Sequence, residues 1–187
     1  MLAYWHERLP IRTFGPIAAA IALPSHLPAF RGAGVFAIDT AIAWLLVAQF
    51  RLWDDIVDRE RDRERHPHRV LTRTAHINKY MVACAVLAII NALVLRFRER
   101  PEVTLPLLAS LTLALAMGYT QSVRSSVLDL LRLAKYPIFV LLVAIGRGEG
   151  ATPAVLTGAF VAFVAAFAYE VWHDPETPLR LLDRRPQ

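Results

Sequence analysis

Asp54, Asp58 and Asp62 stand four residues apart, with Asp55 beside the first. On a helix that spacing stacks three carboxylates along one face, where like charges repel unless something positive sits between them. A divalent cation is the economical answer. Hard oxygen ligands suit Mg2+, which takes one or two carboxylates and completes its shell with water and phosphate oxygens. The ladder therefore reads as a platform for a metal-bound diphosphate. Arg59, Arg61, Arg63 and Arg65 interleave with the acids, so a solvated helix end laced with ion pairs is the competing reading. Glu170 and Asp174 repeat the i, i+4 spacing far along the chain, just before Pro175. Two facing acidic pairs are what a pair of Mg2+ ions clamping one diphosphate requires. His173 and Glu176 either extend the second site or sit at the surface. Positive charge comes from Arg69, Arg124, Arg132 and Lys135, whose guanidinium and ammonium groups are natural partners of phosphate oxygens. Enforcing orientation in a membrane is the alternative use for these cations.

These residues lie between long apolar stretches. Of 187 residues, 56% are apolar and 20% charged, and the mean hydropathy is +0.39. Soluble domains average roughly 45–50% apolar, so the excess marks a membrane protein and excludes disorder and collagen-like repeats. The net charge of +5 does not point to nucleic acid, because the charges form short blocks between apolar segments. A single cysteine, Cys84, excludes a disulfide scaffold and a cysteine zinc cluster.

Six segments approach the roughly 20 residues that cross a bilayer: 14–30, 35–53, 80–97, 103–119, 130–146 and 153–172. The first is interrupted by Pro16, Pro24 and Pro28, and the fifth opens with Arg132 and Lys135, so both are expected to be short or kinked. The N-terminal residues Trp5, His6 and Glu7 do not suggest a cleavable signal. With the N-terminus inside, 16 of the 21 basic residues fall on the inner side and 5 outside, as the positive-inside rule favours. The expected fold is an all-α integral membrane protein with about six transmembrane helices in a single domain, 1–187. Both termini and the acidic motifs then share the inner face. Trp53, Tyr80, Tyr119, Tyr136, Tyr169 and Trp172 gather at that level, either as an interfacial belt or as cavity lining. Asp39, Gln49 and Asn91 lie within the spans, and a structural hydrogen bond is the expected role of Asp39.

The run Asp54-Asp55-Ile56-Val57-Asp58-Arg59-Glu60-Arg61-Asp62, followed by His66-Pro67-His68-Arg69-Val70-Leu71, resembles the first signature of the UbiA-type intramembrane prenyltransferases. That signature reads Asn-Asp-x-x-Asp-x-x-x-Asp, then a basic stretch ending in Arg-Pro-Leu. Tyr119-Thr120-Gln121-Ser122-Val123-Arg124 is similar to the family's Tyr-Ser-x-x-x-Lys segment. Glu170-Val171-Trp172-His173-Asp174 takes the place of its second acidic motif.

The resemblance implies a helical ring around a lipid-open cavity, with Mg2+ bound between the acidic motifs. It also implies transfer of a prenyl group from a polyprenyl diphosphate to a small-molecule acceptor, an aromatic one in many relatives. By position, Asp54, Asp55, Asp58, Asp62, Glu170 and Asp174 would be metal ligands. Asp55, Asp58, Asp62 and Arg124 would carry catalysis, and Arg69, Tyr119, Arg124 and Lys135 would bind the substrate. Asp54 stands where the family has Asn, Val70 where it has Pro, Glu170 where Asp is usual and Arg124 where Lys is usual. Family members carry more helices than the six segments counted here, so either a second copy or a partner chain supplies the missing wall, or the chain is a short branch with altered activity, or it is a non-catalytic relic. The implied location is a bacterial inner membrane, with the site on its cytoplasmic side. The Asp-Asp-x-x-Asp pattern also occurs in soluble isoprenyl diphosphate and terpene synthases, but six apolar spans argue against that fold. From a different class comes a non-catalytic membrane scaffold, binder or small transporter.

Overall fold

The computed structural model describes residues 1–27, 29–120, 126–173, 177 and 179. Every regular element among them is helical. Helices α1 (Leu2–Arg8) and α2 (Ile11–Ala22) lead through a 3-10 turn (Leu23–His26) to α3 (Ala33–Val57). Two short helices follow, α4 (Arg59–Arg65) and α5 (Val70–Arg73), and then a long pair, α6 (Ile77–Arg96) and α7 (Pro101–Tyr119). The chain continues with α8 (Ser126–Leu133), α9 (Lys135–Gly146) and α10 (Pro153–His173).

Four helices are long and apolar enough to cross a membrane: Ala33–Val57, Ile77–Arg96, Pro101–Tyr119 and Pro153–Trp172. They match four of the six expected segments, and proline explains the other two. Pro24 has no N–H to continue α2, so the helix ends at Ala22 and tightens into the 3-10 turn. In the fifth segment, the ring of Pro137 conflicts with an α-helical carbonyl at residue 133. There α8 stops at Leu133, and α9 restarts at Lys135. Both α2 and α9 have 12 residues. At about 1.5 Å per residue each spans about 18 Å, well short of the roughly 30 Å hydrocarbon core.

Helix α3 packs on α2 and α6, α6 on α7, α7 on α9, and α9 on α10, which returns to α2 and the 3-10 turn. Helix α9 also touches α2 and α3, so it fills the middle of the bundle. It is apolar on every side, and Phe139, Val140, Leu142, Val143 and Ala144 are all buried, as such a helix requires. Helices α6 and α10 do the opposite. Met81, Val82, Ile89 and Leu93 on one, and Leu156, Phe160 and Val161 on the other, are each more than half exposed. Uncovered apolar faces of this extent suit hydrocarbon rather than water.

Several polar side chains within the spans find partners inside the protein, although the Thr40 hydroxyl, the Trp44 indole N–H and Asn91 Oδ1 have no hydrogen-bond partner among the described residues. Asn91 donates through Nδ2 to Gln49 Oε1 (2.7 Å) and to the Leu45 carbonyl (3.2 Å), clamping α6 to α3. Asp39 is fully buried. It accepts from Arg98 at 2.5 Å and shares a 2.9 Å hydrogen bond with His26 Nε2. Arg147 completes this cluster, 3.9 Å from Asp39 and donating to the Ala29 carbonyl at 2.8 Å. The cluster closes the end of the bundle where α3 begins. The acidic ladder lies at the other end of that helix, about 22 Å away along its axis.

Gly158 lets α10 approach the 3-10 turn: a Cβ there would sit 2.2 Å from Pro24 Cγ. Because a proline ring cannot swing aside, Gly158→Ala is expected to cost about 1–3 kcal/mol. Gly150→Ala, with open space around its Cβ, serves as the control with little change. Thermal unfolding in detergent measures both.

Candidate functional site

Helix α3 ends at Val57, Asp58 leaves helical geometry (φ −80°, ψ 3°), and α4 resumes at Arg59. The turn nevertheless keeps its register. Asp58 N donates to the Asp54 carbonyl at 2.9 Å, and Asp62 N to the Asp58 carbonyl at 2.8 Å. Asp54, Asp58 and Asp62 therefore remain on one side and line one cavity of 710 Å³. Glu170 from α10 and Asp129 from α8 line it too. So do Arg8, Arg51, Arg61, Arg65, Arg69, Arg132 and Lys135, which makes the lining almost wholly charged.

Each carboxylate of the ladder meets a cation from another element. Asp54 accepts from Lys135 and from the Tyr119 hydroxyl. Lys135 is buried, so that ammonium group is matched inside the protein. Asp55 turns away from the ladder toward α1, where Arg8 grips it bidentately, Nε at 2.9 Å and Nη2 at 2.6 Å. The Tyr4 hydroxyl adds a third hydrogen bond at 2.8 Å, and Arg51 lies 3.7 Å away. Asp62 accepts from Arg69 at 2.5 Å. Asp58 has the loosest partner among the described residues, Arg132 at 3.5 Å. Partial burial, with the neighbouring Asp54 charge adding to it, holds the Asp58 carboxyl above its ordinary value despite Arg132. Burial and the Asp55 carboxylate push the Tyr4 phenol upward in the same way.

Supporting contacts fix these partners in place. Arg59 donates to the carbonyls of Leu71 (3.0 Å) and Thr74 (2.8 Å), tying α4 to the segment that carries Arg69. The Arg132 guanidinium lies over the Tyr119 ring, 5.0 Å from its centre, and Trp53 meets the same ring edge-on at 5.2 Å. Arg63 pairs with Glu60 at 2.6 Å on the surface, and Arg59 lies 3.8 Å from the same carboxylate, as a solvated ion-pair stripe would have it.

The structure thus gathers Asp54, Asp58, Asp62, Arg69, Lys135 and Glu170 around one cavity, with Tyr119 held against Asp54. Asp55 also reaches its wall but is committed to Arg8. Arg124, Asp174 and Glu176 lie outside the described residues, as does the side chain of His173. The aromatic residues divide: Tyr136 lines the cavity, whereas Tyr169 and Trp172 are 59% and 85% exposed and suit an interfacial belt. Sequence reasoning missed Tyr4, Arg8, Arg51 and Asp129. Tyr4–Arg8 and Arg51–Asp55 each have i, i+4 spacing, which sets two polar pairs on helix faces but does not say that the pairs meet.

The acids of the cavity offer only hard oxygen donors, the chemistry that suits Mg2+. Among the described residues, however, no three acidic, histidine or cysteine side chains are gathered closely enough to hold an ion. The cause is visible in the pairs: each ladder carboxylate is turned onto a cation. No family model, curated protein or solved structure matches the chain.

Removing one partner of a buried ion pair strands the other. Arg8→Met is therefore expected to destabilise the protein by about 3 kcal/mol, while the double variant Arg8→Met/Asp55→Leu recovers most of the loss. Thermal unfolding of the two variants in detergent makes the comparison.

Proposed function

We propose that the chain is a UbiA-like, Mg2+-dependent prenyltransferase that moves a prenyl group from a polyprenyl diphosphate to a small-molecule acceptor. The observation that carries this reading is the charged cavity, where the ladder on α3 and α4 meets Glu170 of α10 at one end of an apolar bundle. An isoprenoid diphosphate has the matching form, an anionic head on an apolar tail. The exposed faces of α6 and α10 leave the tail an apolar surround, while the cavity takes the head.

In this reading the apolar segments form a partial UbiA-like assembly in a bacterial inner membrane, with α2 as a broken member of its wall and α9 packed inside it. The site and both termini face the cytoplasm, where the basic residues concentrate. A second copy or a partner chain closes the ring. Asp54, Asp58, Asp62 and Glu170, with Asp174, would hold Mg2+, which neutralises the charge that develops on the departing diphosphate. Arg69, Arg132 and Lys135, joined by Arg124, grip phosphate oxygens. The allylic carbon–oxygen bond would break with its electron pair leaving on the diphosphate, and the acceptor would supply the pair for the new bond to that carbon and release the proton of the attacked atom to the departing pyrophosphate. The Tyr119 ring, already under a guanidinium, offers a face that shields the allylic cation. Asp55 serves by fixing α1 rather than by touching the reacting groups.

One observation favours a second reading, a non-catalytic scaffold, binder or small transporter: every ladder carboxylate already has its cation. Turnover separates the two. Purified protein given radiolabelled farnesyl diphosphate, Mg2+ and a panel of aromatic acceptors is expected to release pyrophosphate and form a prenylated product. Asp58→Asn and Glu170→Gln are each expected to lower that rate by about 100-fold. Full turnover in the Asp58 variant would end the catalytic assignment.

A further inference from the structure

We propose that Lys135 and Arg132 are resident counter-ions of the ladder, so that the cavity accepts an anionic head before it accepts a divalent cation. This inference rests on the diphosphate reading of the cavity. The two cations flank the break at Ala134, where α8 gives way to α9. Lys135 is buried with its ammonium group on Asp54. Arg132 reaches Asp58 at 3.5 Å and covers the Tyr119 ring, whose hydroxyl is also on Asp54. Together they hold the two carboxylates that a metal would need first.

The charge balance sets the order. The described lining carries seven cationic side chains against six acidic ones, so a bare divalent ion enters a region with no excess negative charge. It also meets Lys135 and Arg132 where its ligands should be. An anion meets the reverse situation. The buried Nε of Arg132 has no hydrogen-bond partner among the described residues, and its contact with Asp58 is long. A phosphate oxygen that draws Arg132 and Lys135 toward itself uncovers Asp58 and Asp54 for the metal. Lys135 and Arg132 are then positioning residues for metal binding as well as phosphate ligands. Coupling of this kind is reciprocal: the anion tightens metal binding by the factor by which metal tightens the anion.

Mn2+ titrations of the full chain in detergent, read by electron paramagnetic resonance without any phosphate, test the assignment. Lys135→Gln and the more exposed Arg132→Gln are each expected to bind Mn2+ at least about tenfold more tightly than the unaltered protein. Inorganic pyrophosphate in the presence of EDTA is expected to raise the melting temperature of the unaltered protein. If the unaltered protein binds Mn2+ as tightly as both variants, each shown folded by circular dichroism, the counter-ion role is overturned. Absence of any pyrophosphate shift in EDTA overturns the anion-first order. A separate arm with farnesyl diphosphate and Mg2+ reports on the underlying reading: no stabilisation there removes the diphosphate assignment, whereas stabilisation with unchanged Mn2+ titrations removes only the inference made here.

Discussion

A carboxylate at the end of an apolar bundle is tolerated only when its charge is matched, and this protein matches four in succession. Taking an ion out of water costs several kcal/mol, and only close, well-formed pairing offsets it. Asp54, Asp55, Asp58 and Asp62 obtain that pairing from α9, α1, α8 and the segment before α5, respectively. These four aspartates, all within nine residues, thus draw α1, the segment before α5 and the α8–α9 junction onto the end of α3. The ladder is the joint on which this end of the molecule is assembled.

Helix α9 shows how the two ends are related. It is too short to reach both membrane boundaries, yet Lys135 begins it and Arg147 follows its last turn. Charges placed so deeply need partners inside the protein, because bilayer hydrocarbon supplies none. Lys135 finds Asp54, and Arg147 finds Asp39 and the Ala29 carbonyl. Both acids belong to α3, so a short central helix is pinned at each end to one long neighbour. At the Asp39 end the acid is fully buried among His26, Arg98 and Arg147. At the ladder end the same kind of pairing surrounds a cavity, and that makes this end the candidate for chemistry.

Hydropathy located the four long helices because a continuous apolar run of sufficient length has few other uses. The same measure extended α2 and α9 too far, since it does not register a missing N–H at Pro24 or a ring clash at Pro137. The side-by-side placement of Asp54, Asp58 and Asp62 was legible from spacing alone, and it survived a helix break at Asp58 because the backbone hydrogen bonds across the break persist. What spacing did not carry was direction. Asp55 was expected among metal ligands, but it faces Arg8, 47 residues earlier, and nothing in the local pattern selects that partner over Arg51 or Arg59. Pairing between distant elements is decided by how the helices pack, and packing has no local signature in a sequence this uniformly apolar.

The physical difference between a salt-bridged scaffold and a diphosphate site lies in whether the pairs are the final state of these charges. A guanidinium on a carboxylate and a metal on a carboxylate satisfy the same lone pairs. Exchanging one for the other is costly only if the displaced cation is left without a partner. In our reading a diphosphate would remove that obstacle, because it would offer oxygens to the displaced Arg132 and Lys135 while its charge held the incoming metal. In our reading, Asp55 would not take part in such an exchange, as its two oxygens are already filled by a bidentate arginine and a phenol. Asp58 would be the most ready to do so, being half-buried and held only at 3.5 Å. In that reading the ladder would combine one carboxylate committed to the fold with others whose partners can be replaced, so that the site would change its ions without loosening the end of α3.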